Sequence, residues 1–488
     1  MDKKKQGKAI FFDQPKGLST LFFTEVWERF SYYGMRAILI YYIYDSISNG
    51  GLGFSKEDSL AIMSIYGSMV FMSSVLGGWV ADRLFGLKKT VFVGGLLILL
   101  GHLVLSMPYG TLALFVSLTL IILGTGLLKP NISGMVGKLY SGDDAKRDIG
   151  FSIFCMGINI GGLIAPLIVG TIGQKYNYHA GFSIAAIGMV FGLFQYSNQR
   201  HKKLRKIGDT PTNPLSKNEQ KKIKRYTFVV LTILVISIVL ALKLNFKLGF
   251  LVNMISAIGI ALPIYYFARM LTSKKVTKIE KKGLIAYIPL FLASVVFCSL
   301  EEQGASTLAI FASERVNNTL FGIHIATSWF QSLNPVFVVI LTPVFVALWT
   351  KLGNHQPSTV VKFSLGLVFA GVSFILLMLP AIIYGNTVRV SSLWLISSFF
   401  LVVIGEMCII PVGLSVTTRL APKAFESQTM AIWFLSNAGA QALNAQVVKF
   451  YTTNNESFYF GAIGAIGIGF GVVLFLLKNK IKCLMKNS

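Results

Sequence analysis

Glu25, Glu28, Arg29, Tyr32 and Arg36 stand at offsets 0, 3, 4, 7 and 11 in a stretch that is otherwise mostly apolar. At about 100° per residue on a helix these five project within a sector of roughly 100°, with Tyr33 at its edge. Carboxylates, guanidinium groups and phenol hydroxyls on one face can relay a proton, hold an ion pair that opens and closes, or grip a zwitterion. A charge at the centre of a bilayer helix costs about 2.5–3.5 kcal/mol on insertion scales, so each needs a water-filled cavity, a partner or a function. A structural ion lock is the alternative, but a lock needs fewer charges and no aromatic hydroxyls.

Further polar residues interrupt other apolar runs. Lys129 precedes Pro130-Asn131, where the sequence predicts a locally broken helix with freed carbonyls. Asn159 lies in Gly157-Ile158-Asn159-Ile160-Gly161-Gly162, a small-residue stretch that lets helices approach closely. Glu301 and Glu302 interrupt one run, Asn334-Pro335 another, and Glu406 stands alone before Pro411. The carboxylates Glu25, Glu28, Glu301, Glu302 and Glu406 outnumber the cations Arg29, Arg36 and Lys129, and a proton and a cationic amino group could supply the difference. Burial favours a neutral carboxyl and a nearby cation favours an ionised one, so breaking an ion pair can move a proton on or off. Arg36 and Lys129 suit a carboxylate, and Glu406 suits an ammonium. A zwitterion with its ends roughly 5–10 Å apart, as in a di- or tripeptide, fits both signs. Tyr32, Tyr33, Tyr66 and Trp433 would supply aromatic walls that tolerate many side chains.

The elements that must position these residues are membrane helices. The 488 residues are 54% hydrophobic and 13% charged, with mean hydropathy +0.65, against about 25% charged in soluble domains. Spans of about 20 residues fall near 18–44, 59–82, 90–107, 111–138, 149–172 and 180–197, then 226–242 and 248–271, then 283–312, 323–349, 358–380, 392–418, 424–448 and 459–477. The expected architecture is all-α and polytopic, with about fourteen transmembrane helices: two six-helix bundles plus two extra helices. The expected boundaries are a cytoplasmic N-terminus at 1–17, an N-terminal bundle at 18–198, a basic linker with the extra helices at 199–282, a C-terminal bundle at 283–480 and a cytoplasmic tail at 481–488. With both ends of the chain inside, inner segments hold 34 of the 45 Lys and Arg and outer loops 7, the bias that cytoplasmic loops carry. The net charge of +25 therefore reads as topology, and nucleic-acid binding is excluded. Two such bundles joined by a cytoplasmic segment are the organisation of a rocking transporter, with its site between the halves near the midplane. A membrane-embedded enzyme is the other reading of the architecture alone.

Cys155, Cys298, Cys408 and Cys483 have no paired spacing, so neither a metal nor a disulfide framework is expected. The first apolar segment carries too many charges for a removed signal peptide and is expected to be retained. No Gly-x-x-x-x-Gly-Lys-Ser/Thr phosphate loop and no Ser-His or Ser-Lys arrangement supports a pump or an enzyme. Of the five histidines only His102 lies well inside a span, where a hydrogen-bonded core role is expected.

Gly78-Trp79-Val80-Ala81-Asp82-Arg83-Leu84-Phe85-Gly86-Leu87-Lys88-Lys89 resembles the loop of the major facilitator superfamily whose acidic and basic residues latch the cytoplasmic side, which would make Asp82 and Arg83 the latch. Glu25-Val26-Trp27-Glu28-Arg29-Phe30-Ser31-Tyr32-Tyr33-Gly34-Met35-Arg36 resembles the E-x-x-E-R-F-x-Y-Y-G motif of the proton-dependent oligopeptide transporters, a branch of that superfamily. Leu127 to Asn131, Phe154 to Gly161, Glu301-Glu302-Gln303-Gly304, and Gly405-Glu406 followed by Pro411 to Ser415 extend the resemblance over essentially the whole chain. It implies proton-coupled symport of di- and tripeptides in a bacterial inner membrane, by a monomer without a cofactor. It implies proton coupling at Glu25, Glu28, Arg29 and Glu302. Arg36 and Lys129 would hold the peptide carboxylate and pair alternately with the seventh helix of the fold, where alignment favours Glu302 over Glu301. Asn159, Asn334 and Glu406 would receive the amino group, and Tyr32, Tyr33, Tyr66, Glu301, Trp433 and Asn437 would line the substrate pocket. Two departures bear on pocket shape: Cys298 stands where several members have Trp, and Cys155 where the family pattern has Tyr. Nitrate or drug transport is the competing expectation within the family, and nitrate would leave Glu406 without a cationic partner.

Overall fold

The computed structural model describes residues 14–140, 144–204, 207–216, 218–219, 248–320 and 323–486. Apolar runs in lipid must satisfy their backbone N–H and C=O groups internally, and helices do this within one segment. The first bundle comprises α1 (Lys16–Tyr44), α2 (Lys56–Val80), α3 (Leu87–Leu105), α4 (Gly110–Lys138), α5 (Asp144–Ala165), the short α6 (Thr171–Lys175) and α7 (Tyr178–Lys203). After the linker come α8 (Leu248–Thr272), α9 (Lys278–Glu301), α10 (Thr307–Glu314), α11 (Leu333–Leu352), α12 (Thr359–Tyr384), α13 (Ser392–Leu420), α14 (Glu426–Val447), α15 (Glu456–Leu476) and α16 (Lys478–Lys486). The expected extra helix near 226–242 lies outside the described residues. A two-residue antiparallel pairing, Thr319–Leu320 with Ile323–His324, follows α10 and leaves the all-helical architecture as expected.

Eleven spans among the described residues are long and apolar enough to cross a membrane. The charged α1 and the polar α14 are not among them, although both are long helices packed inside the assembly. Outward faces are apolar, with Leu112, Phe194, Ile264, Leu393 and Leu476 exposed, as a lipid-facing surface requires. Inside each bundle, neighbouring helices touch through facing glycines. A Cβ on Gly94 of α3 would lie 2.7 Å from the Gly124 carbonyl of α4, and one on Gly371 of α12 would lie 2.6 Å from the Gly464 carbonyl of α15. Small residues substitute here for the hydrophobic drive that lipid cannot supply.

The breaks in regular helix matter for the site. α9 ends at Glu301 and tightens into a 3₁₀ turn over Glu302–Ala305 before α10 resumes. Pro335 lies in the first turn of α11, after a 3₁₀ turn at Thr327–Ser332, where a missing N–H costs little. Pro130, by contrast, does not break its helix: α4 runs through it from Gly110 to Lys138. The neighbouring Asn131 amide ties this part of α4 down, donating to Leu127 O at 2.7 Å and across to Gly77 O of α2 at 2.9 Å. The expected tail begins within α16, whose Ile481 is buried.

Candidate functional site

α1 places its charge stripe in the interior, with Glu25, Glu28 and Arg29 all at most 2% exposed. Arg29 Nε donates to Glu28 and lies 3.2 Å from Glu25, so one guanidinium bridges two carboxylates. Its Cζ stands 5.1 Å from the Tyr32 ring centroid and 6.0 Å from that of Tyr33. Gly161 of α5 makes this packing possible, since a Cβ there would lie 2.6 Å from Val26 O and 2.8 Å from Arg29 Cβ. Glu25 Oε2, Glu28 Oε1 and one Arg29 amino nitrogen are buried without a hydrogen-bond partner among the described residues. Two carboxylate oxygens and one guanidinium nitrogen of the cluster thus keep an unused hydrogen-bonding capacity among the described residues.

Two turns further along α1, Arg36 leaves this cluster and pairs with Glu302 of the other bundle. The same carboxylate oxygen, Oε2, accepts from Gln441 Nε2 of α14 at 2.7 Å. The turn after α9 separates adjacent acids as expected: Glu302 faces Arg36, while Glu301 turns toward Glu406 of α13. Asn334 Nδ2 donates to Glu406 Oε2 at 3.2 Å. A cation-bearing wall thus faces a carboxyl-bearing one.

Between them lies a cavity that both bundles line. Tyr33, Arg36 and Asn159 line it from the first bundle, and Glu301, Glu302 and Asn334 from the second. Asn159 spends one amide proton on Cys155 O at 3.1 Å. The other expected substrate residues stand off the wall. Tyr32 and Tyr66 stack at 6.5 Å and are buried, Trp433 is buried against Gly413, and Asn437 is half-buried. Lys129 makes no ion pair within 4 Å among the described residues; its ammonium lies 4.8 Å from the Phe71 ring centroid, with Glu25, Glu28, Arg29 and Glu302 as its charged neighbours. The expected pairing of Lys129 with Glu302 is therefore absent from this arrangement, where Arg36 holds that carboxylate.

Three wall or support residues carried no sequence signal. Gln331 donates to Gly304 O at 2.7 Å, and Phe399 packs its ring at Gly304, so both shape the turn that carries Glu302. Gln441 reads in sequence only as one amide in a polar run. Cys298 is fully buried in the core and off the cavity wall, and Cys155 is exposed. His102 is fully buried as expected, but neither ring nitrogen has a hydrogen-bond partner among the described residues, so it is not the hydrogen-bonded core histidine its sequence position suggested. No group of three His, Cys, Asp or Glu among the described residues could hold a metal.

The expected latch residues, Asp82 and Arg83, engage the linker. Thr212 Oγ1 donates to Asp82 Oδ1 at 2.7 Å, Arg83 pairs with Glu219 at 2.6 Å, and Lys88 pairs with Asp209 at 2.8 Å. Asn213 N and Leu215 N donate to the carbonyls of Asp82 and Arg83, and Lys88 N donates to Gly208 O. The linker lies on this loop because Gly86 and Gly208 meet back to back at φ +74° and +70°. Gly208→Ala is expected to cost about 1–2 kcal/mol for left-handed backbone alone. Limited proteolysis should then cut the linker sooner than in the wild type. Two Ser216 donors and then Arg83 hold the Glu219 carboxyl below its usual range. Its contact with Arg83 is lost only as pH falls through that lowered value, so protection should be constant from about pH 8 to pH 5.

Two helical bundles meeting around a mixed-charge cavity, with an ion pair crossing between them, define a secondary active transporter. Comparison with known proteins sharpens the class. A model of the POT family matches residues 88–466. A di-/tripeptide transporter of Lactococcus lactis subsp. cremoris is 51% identical over 498 residues, covering 99% of each chain, and an uncharacterized transporter, YclF, of Bacillus subtilis is 54% identical over 477 residues, covering 98% of this chain and 96% of that one. A crystal structure of a POT peptide transporter in complex with sulfate superposes with a TM-score of 0.96 at 51% identity, covering 98% of this chain and 97% of the other. Another POT transporter, in complex with 5-aminolevulinic acid, gives 0.94 at 42% identity, covering 97% and 98%. The chain belongs to the POT family.

Proposed function

We propose that this chain is a proton-coupled symporter that takes up di- and tripeptides across a bacterial cell membrane by alternating access. The observation that carries the reading is the Arg36–Glu302 pair, which joins the two bundles at the rim of the cavity. A peptide carboxylate competes with Glu302 for Arg36. Once released, Glu302 is free to take a proton, and the loss of the ion pair lets the bundles part at that point. Glu406, with Asn334 and Glu301, offers acceptors for the peptide ammonium. Lys129, Tyr33 and Asn159 bound the rest of the site, Tyr32 and Tyr66 back it, and Trp433 and Asn437 stand deeper in the second bundle. Glu25, Glu28 and Arg29 relay the proton. Small zwitterions such as 5-aminolevulinic acid, seen in complex with a relative, share the separated charges that this wall arrangement favours.

The Lys-rich side is assigned to the cytoplasm with both chain ends, the working unit to a monomer, and the bundles to 18–198 and 283–480, with the linker and extra helices at 199–282. No cofactor beyond the proton is required. The test is uptake of labelled dialanine into proteoliposomes under an inward proton gradient, with competition by unlabelled peptides and by nitrate. Uptake indifferent to the gradient sinks the coupling; competition by nitrate but not by peptides sinks the substrate.

On this assignment the external end is closed. Glu314 Oε2 takes Lys56 at 2.7 Å and Glu314 Oε1 takes the Tyr44 hydroxyl at 2.5 Å, while Trp329 Nε1 donates to Thr171 Oγ1 at 2.8 Å and Gln174 to Thr327 at 2.6 Å. Glu314→Gln removes a partly exposed pair worth about 1 kcal/mol, roughly a fivefold change in the ratio of open to closed at that end. Alkylation of a cysteine placed at Thr327 should quicken by about that factor; an unchanged rate would remove Glu314 from the closure.

A further inference from the structure

We infer that Gln441 is the second hand on the Glu302 switch, a positioning residue that Gly67 of the opposite bundle holds in place. Two donors converge on a single oxygen, Glu302 Oε2: Arg36 from the first bundle and Gln441 Nε2, at 2.7 Å, from the second. The two are not equivalent. Arg36 can be drawn off by a peptide carboxylate, whereas Gln441 and Glu302 belong to helices of one bundle and stay together when the bundles rock. A pair of hydrogen bonds sets their relative height: Ser299 Oγ donates to Asn444 Oδ1 at 2.5 Å, and Asn444 Nδ2 donates to Ser299 O at 2.9 Å. Both residues are three positions along their helices from Glu302 and Gln441, so the same register that joins them brings the amide to the carboxylate.

Gln441 is also cupped from across the interface. It is 3% exposed. A Cβ on Gly67 of α2 would stand 2.6 Å from Gln441 Nε2, 2.8 Å from its Cδ and 3.1 Å from its Cγ. An added Cβ would push the amide end of Gln441 out of the position in which it points at Glu302. The neighbouring Ser68 Oγ donates to Ala438 O at 2.9 Å and pins α2 to α14 in this register. The donor on Glu302 therefore exists in its present orientation only while α2 lies against α14.

The other groups around Glu302 are Arg36, Tyr32 and Tyr33 from α1, Lys129 from α4, Cys298 and Glu301 from α9, and Glu406 from α13. None of these offers the neutral, non-dissociating N–H that Gln441 supplies. When Arg36 leaves for the peptide, Gln441 keeps one bond on Oε2, which sets how acidic the medium must be before Glu302 takes its proton. When the bundles part at Gly67, the amide loses its support and its grip loosens.

This inference rests on the coupling role proposed for Glu302. The experiment measures gradient-driven uptake of labelled dialanine as a function of external pH for the wild type, Gln441→Leu and Gly67→Ala. A carboxylate that loses a donor holds a proton more readily, so the pH of half-maximal uptake should rise by about one unit in both variants. Gly67→Ala keeps the glutamine and acts from the other bundle, so a matching shift cannot come from loss of Gln441 itself. The second measurement needs no transport: the infrared carboxyl band that Glu302→Gln removes is titrated in purified detergent-solubilised protein, and its midpoint should move in the same direction in both variants. Uptake and infrared midpoints that superpose on the wild type in both variants overturn the inference. Wild-type uptake that ignores the gradient overturns the coupling reading instead, and the infrared titration still decides whether Gln441 governs Glu302.

Discussion

Glu302→Gln is expected to lower gradient-driven peptide uptake by at least about 100-fold, the lower end of what a positioned proton-transfer group is worth. Exchange of labelled for unlabelled peptide should continue at a measurable rate. Glutamine keeps the size of the side chain and an oxygen that Arg36 and Gln441 can still meet, so the local packing survives. It cannot carry a proton, nor can it hold Arg36 as an anion does. Net uptake needs Glu302 to gain a proton on one side and lose it on the other, and that step disappears. Exchange needs only that the loaded carrier rock back and forth. The pair is 12–14% exposed, which places it at the cavity rim within reach of a substrate carboxylate. Proteoliposomes with an inward proton gradient, compared with the same vesicles preloaded with peptide and no gradient, separate the two rates. Equal loss of both would mean that Glu302 holds the bundles together and does not couple them to protons.

The long helices were readable in sequence because a bilayer imposes one length and one polarity on every span. α4, expected at 111–138, runs Gly110–Lys138, and α13, expected at 392–418, runs Ser392–Leu420. Hydropathy also exposed the charges, since a glutamate in an apolar run needs a partner, a water-filled cavity or a function. What it could not show was direction. Tyr32 and Tyr33 are neighbours in sequence, yet one is buried on Tyr66 and the other lines the cavity. Pro130 looked like a break because the sequence does not say that the next side chain will tie α4 to Gly77 of α2 at that point. Gln441 was invisible for a related reason: its role depends on a glycine 374 positions earlier, and neither residue is unusual alone. The resemblance marks Asp82 and Arg83 as a latch, but the linker segment that meets them has no hydropathy pattern to announce it.

Arg29→Met is expected to be the most damaging single change to stability, costing about 3–5 kcal/mol, because it leaves buried carboxylates without their cation. Glu25 and Glu28 are 2% and 0% exposed, and Arg29 is the one cation within 4 Å of either among the described residues. Purified protein should melt earlier by several degrees, at roughly 2–4 °C per kcal/mol or less for a chain of this size. Glu28→Gln separates a relay from a lock. It leaves Arg29 with Glu25 at 3.2 Å and keeps an amide oxygen where the carboxylate was. If the cluster relays protons, the melting temperature stays close to the wild type while gradient-driven uptake is lost and exchange persists. If the cluster only locks α1 to its neighbours, the order reverses: stability falls and the proton gradient still drives whatever folded protein remains. The orphaned oxygens on both glutamates favour the first outcome, since a lock built for strength would have used them.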